Sequence, residues 1–337
     1  MFALTTLAAC SGSDASAPEE DAETDALATG DVGATDTAAP PEIDASGTAD
    51  ATTDTRPATD VGAETATDTP EKPLRFAVVG DYGDGSTHEA AVAKLVAGWS
   101  PEFVLALGDN NYPAGAASTI DGHIGKYYAP FIGGYTGAFG PGSTKNRFWP
   151  IPGNHDWMAA GLKPYLDYFK LPNNERYYEQ DLGLVRVFAI DSDSSEPDGI
   201  TATSTQGKWF QARMTASKSC WNLAMTHHPA YNSGSSHGST LSMRWPFKAW
   251  GIDAVFQGHE HVYERLLVDG QLYVTSGNGG AGLYSFGTPL PGSQARFASD
   301  WGAVKVEVTR STMTLESWSV GGKMVDTYTM KKPTPCP

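Results

Sequence analysis

Apolar residues are unevenly spread along this chain, and nearly all of the long runs lie after residue 73. From Leu74 onward one plan recurs: a short run of consecutive apolar residues, then Gly, Asp, Asn or His. "LRFAVVGDYG", "EFVLALGDNNY", "FWPIPGNHDW", "WNLAMTHHPAY", "DAVFQGHEHVY" and "QLYVTSGNGG" all follow it. Uninterrupted runs of this length read as strands buried on both faces, each ending in a loop that carries polar groups. Helical segments are expected between them, at about 87–99, 163–169, 206–215 and 241–250. Late in the chain, "AVKVEVT" and "TMTLESWSV" alternate apolar and polar, the pattern of antiparallel strands with one solvated or helix-covered face. The sum is α/β early and β-rich late, consistent with two stacked sheets flanked by helices. No linker interrupts 74–337, which is read as a single domain.

The segment before it has a different character. Residues 11–73 are mostly Ala, Thr, Asp, Glu, Gly and Pro, with imperfect copies of one Ala-Thr-Asp-Thr phrase. Such a stretch buries too little surface to offset its chain entropy, so a disordered linker is expected. Its charge dominates the protein's. Residues 1–73 hold sixteen Asp and Glu against Arg56 and Lys72, while the whole chain carries −16. The remainder, with 21 basic and 23 acidic residues, is close to neutral. The acidity therefore says little about a ligand, and without a basic stripe a nucleic-acid partner is not expected.

The start, "MFALTTLAAC", ends in Leu-Ala-Ala-Cys, which resembles the lipobox of bacterial lipoproteins. That resemblance implies a signal remnant over 1–10, lipid on Cys10 and a tether beginning at Ser11. It places the protein outside the cytoplasm, membrane-anchored or secreted, with membrane contact only through that lipid. Neither a basic n-region nor a full apolar h-region precedes Cys10, so the start of such a leader is expected upstream of Met1. No later run of about 18 apolar residues offers a spanning helix. With Cys10 set aside, Cys220 and Cys336 remain. In an exported protein they either form a bridge pinning the C-terminus to the strand near Trp221 or stay as two thiols.

Polar residues gather at the C-terminal ends of the apolar runs, where open α/β sheets bind ligands. They are Asp81, Asp109, Tyr112, Asn154, His155, Asp156, His227, His228, His237, His259 and His261. Six of the eight histidines belong to this set; only His88 and His123 stand apart. Singly, each has an ordinary reading: a turn Asp, an Asx-turn Asn, a core His. Together, five loops present hard oxygen or imidazole donors, all at the strand ends of what is read as one sheet, and this points to a metal site. His259 and His261, two apart at a strand end, are expected to face the same side.

The motifs "GDYG" (80–83), "GDNNY" (108–112), "GNHD" (153–156), "AMTH" (224–227) and "GHEH" (258–261) resemble, in order, those of the calcineurin-like metallophosphoesterases. The likeness is specifically to purple acid phosphatases of the small, tartrate-resistant type, and it covers about 74–319. Most members of the superfamily carry a His two places after the first Asp. Here Gly83 stands there, and Tyr112 is the compensating residue of the purple acid phosphatases. Ala224 departs from the family's usual Val at a strand position that ligates nothing.

This resemblance implies an α/β fold: a four-layer α-β-β-α sandwich with two mixed β-sheets, preceded by the disordered tail. It implies Asp81, Tyr112 and His261 on a ferric ion, Asn154, His227 and His259 on a divalent ion (Fe, Mn or Zn), and Asp109 bridging. Carboxylate and phenolate suit Fe(III), and amide oxygen with neutral imidazoles suits a divalent ion. The implied reaction is hydrolysis of small phosphate monoesters, as an acid phosphatase, by in-line attack of a metal-bound hydroxide without a phospho-enzyme. His155 would protonate the leaving group, with Asp156 orienting it, and His237 would contact the substrate from its loop. His228 reads as a hydrogen-bonding neighbour of the metal ligands. Two alternatives remain open: a phosphodiesterase or nucleotidase of the same superfamily, and a non-catalytic surface binding protein. Oligomeric state is not legible from the sequence.

Overall fold

The computed structural model describes residues 72–336. The expected linker, the lipobox and Cys10 lie outside the described residues. In chain order the elements are β1 (Leu74–Val79), α1 (Thr87–Gly98), β2 (Phe103–Ala106), α2 (Lys126–Tyr128), β3 (Phe148–Pro150), α3 (Asn154–Trp157), α4 (Lys163–Tyr168), β4 (Tyr178–Leu182), β5 (Val185–Ile190), α5 (Thr205–Thr215), β6 (Trp221–Thr226), α6 (Phe247–Trp250), β7 (Ala254–Gln257), β8 (Tyr263–Val268), β9 (Gln271–Ser276), β10 (Ser293–Phe297), β11 (Gly302–Val308), β12 (Thr312–Ser319) and β13 (Met324–Lys331).

Among the described residues the strands form two sheets, ordered β13-β12-β11-β1-β2-β3 and β10-β8-β9-β7-β6-β5-β4. Both are mixed. In the first, β1, β2 and β3 are parallel while β11, β12 and β13 add antiparallel. In the second, β5, β6, β7 and β9 are parallel and the outer strands antiparallel.

Alternation of side chains sorts the apolar residues into three packed layers. Phe76 and Val78 of β1 meet Val187, Leu223, Met225 and Phe256 of the second sheet in the central core. Their neighbours Ala77 and Val79 face outward onto Val92 and Val96 of α1 and onto Tyr128 and Tyr165. On the far side, Phe188, Ala224 and Val255 pack against Phe210, Met214 and Phe247. The order is helix, sheet, sheet, helix, as the sequence reading anticipates. β2, β6, β7 and β9 are buried throughout, as parallel strands covered on both faces must be, whereas β12 alternates strictly.

Local signals set the helix starts. The Ser86 hydroxyl accepts the His88 and Glu89 N–H groups ahead of α1, and Ser204 accepts the Gly207 N–H ahead of α5. The helix expected over 241–250 is instead two pieces, a 3₁₀ turn at Leu241–Met243 and α6. Pro246 lies between them; it has no N–H for a continuing helix and drives Trp245 out of the helical region.

Candidate metal centre

The loops after β1, β2 and β3 of one sheet and after β6 and β7 of the other meet at one end of the sandwich. This corrects the sequence reading, which assigned the site to strand ends of a single sheet. β1 delivers Asp81, β2 delivers Asp109 and Tyr112, and β3 runs into α3, whose first residue is Asn154. β6 ends one residue before His227, and the β7–β8 connection holds His259 and His261.

Side chains from these loops form two donor clusters: Asp109 with His227 and His259, and Asp81 with Asp109 and His261. Asp109 belongs to both. Tyr112 joins the second cluster, its Oη lying 2.9 Å from Asp109 Oδ2, 3.0 Å from His261 Nε2 and 3.5 Å from Asp81 Oδ1. Asn154 joins the first, its Oδ1 3.0 Å from His227 Nε2. All seven residues expected to bind metal are therefore brought together, divided as the sequence reading divides them.

Each ring is oriented by its other nitrogen. His227 Nδ1 lies 2.8 Å from the Leu107 carbonyl and His261 Nδ1 2.6 Å from the Gly282 carbonyl. Both therefore donate from Nδ1 and turn Nε2 inward, the usual support for a metal-binding imidazole. His259 turns Nδ1 inward, 3.2 Å from His227 Nε2, while its backbone N–H donates to both Asp81 oxygens at 3.0 and 2.8 Å. The two "GHEH" histidines do not share a face by strand alternation, since they lie in the loop after β7. His259 sits at φ 68°, and Asp81 and Asp109 at φ 55° and 50°. Left-handed backbone at three non-glycine donors is strain concentrated at one site, held by the surrounding loops.

Two glycines permit the close approach. A Cβ at Gly83 would lie 1.7 Å from the Asn110 carbonyl oxygen, so the loop admits no side chain there and the donor comes from Tyr112. A Cβ at Gly153 would lie 2.2 Å from Asp109 Oδ1.

Electrostatics argue for a bound cation. Asp81 and Asp109 are buried, and no Lys or Arg ion-pairs with either among the described residues. Burial pushes the Asp81 carboxyl well above the usual carboxylate range. Burial also acts on Asp109, but the charge and hydrogen bond of His227, with His155, hold it below that range. Burial opposes a charge on His227, yet Asp109 and Asp81 raise it to about 10. Burial and His227 push His259 below its ordinary range, and burial holds His261 down to about 4. Burial, then Asp81 and Asp109, drive the Tyr112 phenol far up. The cluster's charge is thus balanced by protons, on Asp81 itself and on His227, and a bound cation would take the place of those protons. The donors fit metal: carboxylate and phenol oxygens on one side, and on the other amide oxygen and two imidazoles, His227 ligating once its proton is displaced.

The remaining candidates take distinct places. His155 Nδ1 lies 2.6 Å from the Pro113 carbonyl, its Nε2 lies 3.9 Å from Asp109 Oδ2, and its ring tilts over Tyr112. Asp156 departs from the expected role of orienting His155. Its Oδ2 accepts the Gly153 N–H at 2.9 Å, the Asn110 N–H at 3.2 Å and the Asn110 amide at 2.8 Å. It thus caps α3 and ties the β2 loop to the β3 loop; the Pro113 carbonyl orients His155 instead. Burial and the Asp109 charge raise Asp156 to about 6. His228 hydrogen-bonds Ser192 through Nδ1 at 3.0 Å, and burial with His227 lowers it to about 4. The exposed His237 ring lies 4.1 Å from that of His259.

Sequence reasoning missed three neighbours. Ser192 follows β5, whose run "VRVFAI" ends in Asp-Ser like the others and could have been found by the same rule. Tyr284 stacks on His261 at 4.0 Å, and Glu260 is buried between the two ligating histidines; no local pattern announces either.

A two-sheet sandwich carrying paired donor clusters that share one carboxylate has the build of a dinuclear metallophosphoesterase. Residues 70–263 match the model of the calcineurin-like phosphoesterases, and the chain belongs to that family. It is 28% identical to purple acid phosphatase 23 of Arabidopsis thaliana over 246 residues, 62% of this chain and 53% of that protein. It is 26% identical to tartrate-resistant acid phosphatase type 5 of Rattus norvegicus over 249 residues, 62% of this chain and 73% of the other. The chain spans about half the length of the plant relatives it matches. Among solved structures, the purple acid phosphatase PPD1 of yellow lupin superposes with a TM-score of 0.62 at 18% identity, covering 77% of this chain and 54% of that one. GAP50, described as the anchor in the inner membrane complex of Plasmodium, also gives 0.62, at 16% identity, over 79% and 90%. The family and its purple acid phosphatase members imply two metal ions.

Proposed function

We propose that the protein is an exported phosphomonoesterase of the purple acid phosphatase type, acting on small phosphate esters. The observation that carries this is Asp109, shared by two donor clusters of which one contains a phenol. Asp81, Asp109, Tyr112 and His261 would hold Fe(III), and Asp109, Asn154, His227 and His259 a divalent Fe, Mn or Zn. Ions held there would supply Lewis acidity for a phosphoryl oxygen and would acidify water.

The chain's own residues do the rest. The Leu107 and Gly282 carbonyls fix two ligand rings, so little reorganisation is left for the reaction. His155 commits Nδ1–H to Pro113, which makes Nε2 the atom that gives a proton to the leaving oxygen. Asp156 holds the loop carrying Asp109 against the loop carrying His155. His237 supplies a donor from the rim.

A fold shared with an anchor protein does not by itself imply catalysis. A full set of donors is the argument against a purely structural role. The relatives' names support monoesters, and the Cys220–Cys336 disulfide supports an oxidising compartment. No described helix is long and apolar enough to cross a membrane, and an anchor on Cys10 remains part of the proposal. The deciding experiment compares turnover of 4-nitrophenyl phosphate with bis(4-nitrophenyl) phosphate. A preference for the diester would replace this reading with a phosphodiesterase, and no hydrolysis of either by metal-loaded protein would replace it with a binding role.

A further inference from the structure

The geometry points to Glu260 as the residue that positions His237 for substrate, a role resting on the phosphoesterase reading above. The segment "NSGSSHGS" (232–239) is closed at its ends by Asn232, whose N–H donates to Ser239 Oγ and whose Oδ1 accepts the Gly234 N–H, and its tip is rich in small residues. It contains four serines and two glycines, and Ser235, Ser236 and His237 are exposed. A chain of this composition loses much conformational entropy when fixed in one place. Something must therefore hold His237 beside the metal ligands.

Ser235 is tied to Ser285 through its N–H and hydroxyl, and on either side of it two buried carboxylates hold the loop. At the base, Glu264 accepts the Ser233 N–H and hydroxyl, both at 2.6 Å. At the tip, Glu260 Oε1 accepts the N–H groups of His237 and of Gly238, the latter at 2.5 Å. Both glutamates are fully buried, and neither ion-pairs with Lys or Arg among the described residues. A buried carboxylate is costly unless hydrogen-bonded, and these two hold the loop's own N–H groups. Gly234 makes the contact possible, because a Cβ there would sit 2.3 Å from the Glu260 carboxyl carbon.

The consequence is a mechanical link. Glu260 lies between His259 and His261, so the segment that delivers two metal ligands also holds the rim loop. The His237 ring is thereby seated over His259 at 4.1 Å and 5.6 Å from Tyr284. Metal ligands and substrate donor move as one unit.

The test begins with amide hydrogen exchange in the unmodified protein. The His237 and Gly238 amides should exchange at least a hundredfold more slowly than the neighbouring exposed Ser236 amide; equal rates overturn the proposal. This readout stands even if no phosphoester is hydrolysed, so failure of the functional reading and failure of the clamp are separable. Next, kcat/KM for 4-nitrophenyl phosphate is measured in a double-mutant cycle. Glu260→Val and His237→Ala should each lower it about tenfold to a hundredfold, the loss of one charge-assisted hydrogen bond to a phosphoryl oxygen. Together they should cost no more than either alone. Glu260→Gln, which keeps a carbonyl acceptor, should restore most of the activity lost in Glu260→Val. Additive losses in the double variant, or loss of bound metal in Glu260→Gln, overturn the positioning role.

Discussion

Reducing the Cys220–Cys336 bridge should lower stability sharply and leave catalysis unchanged. The bridge joins residues 116 apart. Closing a loop of that size removes chain entropy from the unfolded state worth about 5 kcal/mol. Native structure on both sides survives without it. The Cys336 N–H donates to the Arg310 carbonyl at 3.0 Å, Lys332 pairs with Asp253 at 2.5 Å, and β13 stays paired with β12. The loss should therefore appear almost wholly through the unfolded chain. For a domain of this size each kcal/mol moves Tm by about 2–4 °C, so a drop of about 10–20 °C is expected. The active end should not feel it. Cys220 precedes β6 and His227 follows it, and six strand residues separate the two by roughly 20 Å. The assay is calorimetry of oxidised protein, of protein reduced under native conditions, and of Cys336→Ser, with kcat measured well below each transition. A Tm change under about 2 °C would refute the entropic argument. Two reactive thiols besides Cys10 in unfolded, unreduced protein would remove the bridge itself, and a fall in kcat well below Tm would refute the separation of the two ends.

Tyr112→Phe should abolish any visible phenolate-to-iron absorption of natively purified protein while Asp109 and the three ligating histidines remain; an unchanged spectrum removes Tyr112 from the metal. Asp109→Ala should lose both ions, because its carboxylate serves both clusters, and two ions per chain by elemental analysis would contradict this. Glu89 gives a pH signature away from the ligands. Burial raises its carboxyl from 4.5 to about 9, and its Oε2 accepts the Gly85 N–H at 2.7 Å. A folded-state pKa above the unfolded one means the folded protein holds the extra proton between those values. Its stabilising contribution is therefore complete below about pH 4.5 and is lost as pH rises toward 9, by roughly 3 kcal/mol at pH 7. Glu89→Gln should flatten the fall of Tm between pH 5 and 8, and parallel curves for the two proteins would refute the assignment.

The parts of the fold legible in the sequence are those where one physical rule acts alone. β6, β7 and β9 lie between two layers and are buried at every position, so apolar residues fill their centres and buried polar ones, such as Gln257 and Thr275, fall at their ends. Donors follow because ligands bind where such strands end. What could not be read depends on partners distant in sequence. Asp156 resembles an orienting acid beside His155, but its acceptor capacity is used by Asn110, 46 residues away. The left-handed backbone at Asp81 and His259 has no local signature, since Asp and His there look like ordinary turn residues. Glu260 looks like a solvated charge between two ligands until Gly234 and Gly238 fold against it. β4 and β5 carry a weaker signal, because "YEQDL" and "VRVFAI" each include charge, one strand at the sheet edge and the other beside it.

The origin of the site in two sheets explains why its ligands are so fully present. Asp81 accepts the backbone N–H of His259, and His227 donates to the carbonyl of Leu107; each bond joins one sheet to the other. The Gly279 N–H closes a third link to the Gly80 carbonyl at 3.1 Å. These loops therefore do two jobs: they seal the open end of the central core, and they hold the donors. A substitution that removes Asp81 or Asp109 takes away a charge but also leaves buried N–H groups without acceptors, at about 1–3 kcal/mol each. Conversely, among the described residues both carboxylates are buried without a Lys or Arg partner, so protons on Asp81 and His227 balance the site until cations take their place. The folded state thus gathers buried donors whose charge is balanced by displaceable protons, and that arrangement, more than likeness of fold, ties this architecture to metal-dependent chemistry.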